Sequence, residues 1–100
     1  MTVLTLQIKR EWFDKIESGE KKEEYREIKP YFDNRLFSKE YTHLRLINGF
    51  ARNINGRRVE APRLLVEIKS IKKGLTKQKW ANKAGQLCYV IALGEIIQQK

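Results

Sequence analysis

The sequence predicts one small α+β domain, rich in strands, that closes as a mixed β-barrel of about five to six strands with two or three short helices. Three observations predict it. The chain has 100 residues, enough for one modest core and too few for two. Several segments alternate apolar and polar residues with the period of a strand, and only two short stretches near the start carry helical spacing. Closing the sheet removes the exposed edges that so many short strands would otherwise leave.

From Thr2 to Lys9, Leu4, Leu6 and Ile8 fall on one side and Thr5, Gln7 and Lys9 on the other, the pattern of a half-buried strand. The period then changes. From Arg10 to Ser18, Trp12, Phe13 and Ile16 form a helical stripe expected to pack in the core, and Gly19 stands where a left-handed residue ends a helix. Lys21 to Ile28 is dense in charge and reads as a second strand or an extended edge. Pro30 opens a short helical turn with Tyr31, Phe32 and Leu36. Thr42 to Ile47 alternates again, and Asn48-Gly49 and Asn55-Gly56 mark turns. Between them Phe50, Arg52, Arg57 and Arg58 are expected at an exposed hairpin tip. A strand starts after Pro62 and carries Leu64, Val66 and Ile68. Lys72 to Leu87 reads as a short helix near Thr76 to Trp80 plus loop. Cys88 to Ile97, apolar on both faces, reads as a central strand.

Composition narrows the function. The chain is 41% apolar and 33% charged, with six Gly and two Pro, a profile of folded rather than disordered protein. No segment approaches the roughly 20 apolar residues of a membrane span, and the N-terminal residues lack the basic start and apolar run of a signal peptide. No membrane association is expected. The single Cys88 lies in an apolar run and reads as a buried thiol in a reducing cytoplasm. Cys88 and His43 cannot make up the four ligands of a structural zinc site, so no metal or cofactor is expected.

Charge is distributed unevenly. Residues 1–40 hold nine Lys/Arg and nine Asp/Glu, whereas residues 41–100 hold twelve and three, which gives the whole net charge of +9. A cationic half beside a balanced half predicts one basic face, and such a face attracts polyanions by releasing their counterions. Lys69, Lys72, Lys73, Lys77, Lys79 and Lys83 form a belt suited to phosphates, with Trp80 inside it. Trp80 either stacks an unpaired base or closes the barrel as core; its residue type favours burial.

The densest polar signal is the run from Gly19 to Glu27. If it is extended, Lys21, Glu23 and Tyr25 share one side, and Glu24 and Arg26 the other. Either conformation brings Lys21, Glu24 and Arg26 close enough for a mixed-charge cluster, in which Arg offers a fork of donors to a phosphate or carboxylate. The plain reading of the spacing alone is a solvated, salt-bridged edge. Glu23 and Glu24 point apart on a strand, which argues against Mg²⁺. His43, mid-strand beside Leu44, reads as a structural or surface residue.

The run Gly19-x-Lys21-x-x-Glu24-x-Arg26 resembles the signature of the ASCH domains of the PUA-like superfamily. Trp12-Phe13-x-x-Ile16 before it, Tyr31 and Arg35-Leu36 after it, and Leu44-Arg45-Leu46-Ile47-Asn48-Gly49 further on are similar too, as are Val66-Glu67-Ile68 and Leu93-Gly94-Glu95-Ile96. The likeness spans roughly residues 3–97. It implies a PUA-like barrel with a cleft beside the signature, lined by Lys21, Glu24 and Arg26, and RNA binding as the function. Some members are nucleases, and others resemble amidohydrolases of acylated cytidines with a catalytic Lys, Thr and Glu. Here Glu24 stands in place of that Thr, and Lys72 to Leu87 offers no carboxylate for the acidic role, so the triad is incomplete.

Three functions follow as expectations. The first is an RNA-binding domain for single-stranded or structured RNA, using Lys21, Glu24 and Arg26 with Arg52, Arg57, Arg58, Lys72 and Lys73. The second is a small hydrolase of acylated nucleosides or a ribonuclease with Lys21 and Glu24 as catalytic residues. The third is a non-catalytic protein-interaction module.

Overall fold

Leu4 and Leu6 alternate with exposed or half-exposed residues along β1 (Val3–Gln7), and the same pattern in Leu44 and Leu46 makes β3 (His43–Ile47) its partner. In the computed structural model, which describes residues 1–99, α1 (Arg10–Glu17), β2 (Glu23–Arg26) and α2 (Pro30–Phe37) lie between these two strands. β4 (Arg52–Ile54), β5 (Arg57–Val59), β6 (Arg63–Leu75) and β7 (Leu87–Gln99) complete the chain. Five strands form one sheet in the order β1-β3-β6-β7-β2, and β4 and β5 form a separate two-stranded ribbon. β1 and β3 are parallel and the other pairs antiparallel. The protein is thus a strand-rich α+β domain with two helices and a mixed sheet.

The register explains the core. Leu4, Leu44 and Val66 stand in one row across three strands, and Leu6, Leu46 and Leu64 in the next. Directly paired residues share a face, so both rows project to the same side. Phe13 and Ile16 from α1 and Leu36 from α2 pack with them, together with Tyr89, Ile91 and Leu93 of β7. Each of these side chains contributes roughly 1.5–3 kcal/mol by leaving water. α1 ends at Gly19, whose φ of +82° turns the chain back toward the sheet. Pro30 at the first turn starts α2, and Arg35 Nη2 donates to the Thr5 carbonyl at 2.7 Å, tying that helix to β1.

The barrel closure expected from the sequence is not reached. No backbone ladder joins β1 to β2, so both remain edges of an open sheet. They approach at one place, where Arg26 Nη2 donates to the Gln7 carbonyl at 2.7 Å.

The strand beginning after Pro62 is also longer than expected. Lys72 and Lys73, anticipated in a loop, pair with Val90 and Tyr89, and the ladder continues to Leu75–Leu87. Backbone pairing to β7 holds them, and an outer face of lysines does not interrupt it. The expected helix near Thr76 shrinks to a 3₁₀ turn over Gln78–Trp80.

Candidate functional site: a cleft at the open sheet edge

The turn after α1 decides where Lys21 goes. Its N–H donates to the Lys15 carbonyl at 2.9 Å, while the Lys22 carbonyl accepts from Leu93 N–H at 2.9 Å, so the segment leaves the helix and enters the sheet within three residues. Strand alternation therefore starts only at Glu23. Lys21, expected opposite Glu24 in a fully extended segment, instead turns under the strand and is 2% exposed.

Lys21 Nζ donates to the Glu23 carbonyl and to Glu24 Oε1, the latter at 3.1 Å. It also sits 4.8 Å from the Tyr25 ring centre and 5.5 Å from that of Trp12, within cation–π range. Glu24 accepts on its other oxygen from Arg26 Nη2 at 2.7 Å. One buried carboxylate thus bridges two cations, and the same guanidinium nitrogen reaches across to Gln7. Burial pushes the Lys21 amine below its ordinary pKa of 10.5, and Glu24 opposes that shift. The Arg26 Nε is buried and has no hydrogen-bond partner among the described residues.

A cleft of about 750 Å³ opens over this cluster. Trp12, Tyr25, Phe32 and Trp80 supply aromatic surface, and Lys9, Lys21, Arg26 and Lys29 outnumber Glu24 and Glu27 among the charged residues lining it. The far wall is the loop after β6. Thr76 Oγ donates to the Lys83 carbonyl at 2.6 Å and accepts from Gln86 N–H at 3.0 Å, closing the loop on itself. Trp80 Nε1 donates to the Glu20 carbonyl at 3.0 Å. Lys77 N–H donates to the Tyr25 hydroxyl at 3.2 Å, and that hydroxyl donates to Glu23 at 2.8 Å. Burial, the first cause, and this bond to Glu23 both raise the Tyr25 pKa, so the phenol stays neutral. Cys88 also lines the cleft, and burial pushes its thiol up, away from a reactive thiolate.

The structure thus brings Lys21, Glu24 and Arg26 together, as their spacing suggested. Lys72 and Lys73 are exposed on β6, opposite Val90 and Tyr89, whose other neighbours are Tyr25 and Arg26. Two strand spacings, about 10 Å, separate them from β2, and neither lines the cleft. Arg52, Arg57 and Arg58 sit on the exposed β4–β5 ribbon. His43 begins β3, at the opposite end of that strand from Ile47, and its Nδ1 lies 2.8 Å from Thr42 Oγ. Trp12 packs against the core as expected and Trp80 is buried, the core alternative for that residue; both also line the cleft. The sequence reading missed Phe32 and Thr76, which the fold brings to the cleft from α2 and from the end of β6. The aromatic residue at the first turn of a Pro-started helix, facing a charged strand, was the available signal for Phe32.

Among the described residues no group of three or more His, Cys, Asp or Glu side chains is arranged to hold a metal ion. No helix among them is long and apolar enough to cross a membrane. Compared with protein-family models, curated proteins and solved structures, the chain finds no match.

Proposed function

We propose that the protein binds single-stranded RNA by taking an unpaired base into the cleft beside Lys21, Glu24 and Arg26. The observation that carries this reading is the combination of four aromatic side chains with an excess of cations lining one cleft. A base has a π-face to stack and carbonyl oxygens that accept, and its phosphates match the cationic rim. A duplex presents no unpaired base to a cleft of this size. The net charge of +9 supplies the sequence-independent part of the attraction.

The PUA-like, ASCH-type assignment rests on the signature from Gly19 to Arg26. The mixed sheet, whose two edges are bridged by Arg26 and Gln7 as a sheet curling toward a barrel requires, supports it. The lone buried Cys88 supports a reducing, cytoplasmic setting.

A hydrolase or ribonuclease reading draws on one observation, the burial that lowers the Lys21 pKa. Both Glu24 oxygens and the Lys21 amine are already engaged with one another and with Arg26, which favours a positioning role over proton transfer. The test is equilibrium binding of a labelled single-stranded RNA to wild type and Arg26→Ala across salt. Affinity should fall at least about tenfold in the folded variant, the loss of a charge-assisted contact. Equal affinities would overturn the proposal, and RNA cleavage abolished by Lys21→Met would favour the enzyme.

A further inference from the structure

The β4–β5 ribbon forms a sheet of its own, apart from the five-stranded one. Every residue of both strands is exposed, and Phe50 at its root is 79% exposed. A lone two-stranded hairpin is marginal in water, so its local devices matter. Asn55 and Gly56 take φ of 51° and 77°, the two positive values a tight type I′ turn needs. At the other end the ribbon is riveted to the main sheet. Asn48 N–H donates to the Pro62 carbonyl at 3.0 Å, and Asn48 Nδ2 donates to the Ile8 carbonyl at 2.9 Å. The Gln7 side-chain amide lies 3.0 Å from both the Ile47 and Gly49 carbonyls, and assigning its nitrogen to that position lets it donate to both.

Gln7 and Ile8 are also cleft residues, and Gln7 is the one Arg26 grips. The ribbon's root and the mouth of the cleft therefore share a wall. The register sorts the ribbon's side chains. Arg52 faces Val59 and Ile54 faces Arg57, so these four share one side, while Asn53 and Arg58 take the other. Arg58 is engaged with Glu60 at 2.7 Å, and Arg63 reaches the same carboxylate at 3.2 Å. Arg52 and Arg57 make no ion pair among the described residues and stand diagonally, about 7–8 Å apart at their backbones. Glu60 is the only acid from Asn48 to Pro62, against three arginines.

We infer that this ribbon is a second contact for the same nucleic-acid strand: Arg52 and Arg57 hold phosphates several nucleotides beyond the base in the cleft, and Phe50 offers a stacking face for a nucleotide between them. The inference rests on the cleft reading above. Charge complementarity selects the occupant, because two unpaired arginines beside Ile54 and Val59 suit a polyanion with apolar base faces better than a second basic copy of this chain. From Asn48 to the turn at Asn55 an extended chain spans at most about 25 Å. The full footprint is then several nucleotides, in the range of about 4–16 known for small single-strand binders.

The experiment compares a single-stranded RNA trinucleotide with a dodecanucleotide, titrated across salt against wild type, Arg52→Ala/Arg57→Ala, Arg52→Lys/Arg57→Lys and Arg26→Ala. Circular dichroism checks each fold; the exposed ribbon lies outside the core, so the arginine variants should remain folded. Wild type should bind the dodecanucleotide more tightly than the trinucleotide. The double alanine variant should lose roughly tenfold on the dodecanucleotide and nothing on the trinucleotide. Its salt slope should shrink by about 1.4, two single-strand phosphate contacts at about 0.7 each, and the lysine variant should keep the slope. Arg26→Ala should weaken both lengths. If wild type and the double alanine variant bind the dodecanucleotide alike, the ribbon inference is overturned while the cleft reading stands. If wild type binds neither RNA, both fall. A wild-type dimer in sedimentation that the double alanine variant abolishes, with RNA binding unchanged, would assign the ribbon to a second copy instead.

Discussion

Replacing Glu24 with glutamine keeps the shape of the side chain and removes the charge that faces both Lys21 and Arg26. Glu24 accepts from Lys21 at 3.1 Å and from Arg26 at 2.7 Å, with side-chain exposures of 1% for Lys21 and 7% for Glu24. Glutamine offers one acceptor oxygen to two donors, so its amide nitrogen must face one of the cations. One charge-assisted hydrogen bond, worth about 1.5–3 kcal/mol, is lost outright, and the other keeps only a neutral acceptor. Removing one member of a buried ion pair gives about 3–5 kcal/mol independently. Against a total stability of about 5–15 kcal/mol, that is a large share. Urea unfolding followed by the fluorescence of Trp12 and Trp80 measures it. With a slope of about 1.5 kcal/mol/M, the midpoint should fall by about 2–3 M. The control is Arg10→Ala, which breaks the exposed Arg10–Asp14 pair and should cost less than about 0.5 kcal/mol. A Glu24→Gln protein within about 0.5 kcal/mol of wild type would refute the reasoning that a buried carboxylate holds this corner of the fold together.

Lys21 also makes a prediction in pH. Burial holds its folded pKa below 10.5 despite Glu24, so between that lowered value and 10.5 the unfolded chain binds more protons. Stability should rise with pH across that interval, the desolvation cost being full below the folded pKa and relieved toward 10.5. Tyr25, whose pKa is raised above 10.0, acts oppositely: its contribution is present below 10.0 and lost as pH climbs through its folded value. The readout is therefore the difference between wild type and Lys21→Met, and identical pH slopes would contradict the burial argument. Trp80→Phe keeps an aromatic face but loses the bond to the Glu20 carbonyl, so it should cost about 0.5–1.5 kcal/mol of stability and little RNA affinity. Trp80→Ala should weaken single-stranded RNA by about 1–3 kcal/mol, and a folded Trp80→Ala that binds like wild type would remove Trp80 from the site.

The elements that read well from sequence are those whose periods differ sharply. Leu4 and Leu6 repeat every two residues, and Phe13 and Ile16 are three apart, so strand and helix separate without tertiary information. The Asn55-Gly56 turn was legible because only a few residue pairs accept two positive φ values. The end of β6 was not. Its side chains at Lys72 and Lys73 carry no apolar pattern, and its strand state comes from hydrogen bonds to β7. Sheet closure was not legible either, because it depends on twist and strand order rather than on local spacing. At the site, the spacing of Lys21, Glu24 and Arg26 announced a cluster but not its depth. The lysine is buried because Gly19 turns the chain and Lys22 docks on Leu93. The aromatic walls were harder still. Trp12, Phe32 and Trp80 come from three separated segments, and only the fold gathers them around one cleft.

The central claim, that an unpaired base enters the cleft, is tested most directly by tryptophan fluorescence while wild type is titrated with a single-stranded RNA and with a duplex carrying the same number of phosphates. Trp12 and Trp80 line the cleft, so a stacked base must change their emission. The account predicts saturable quenching by the single strand that survives physiological salt, with weaker binding and no quenching by the duplex. Equal affinity for the two, lost together as salt rises and with unchanged emission, would mean that the positive charge alone attracts RNA and that the cleft takes no base.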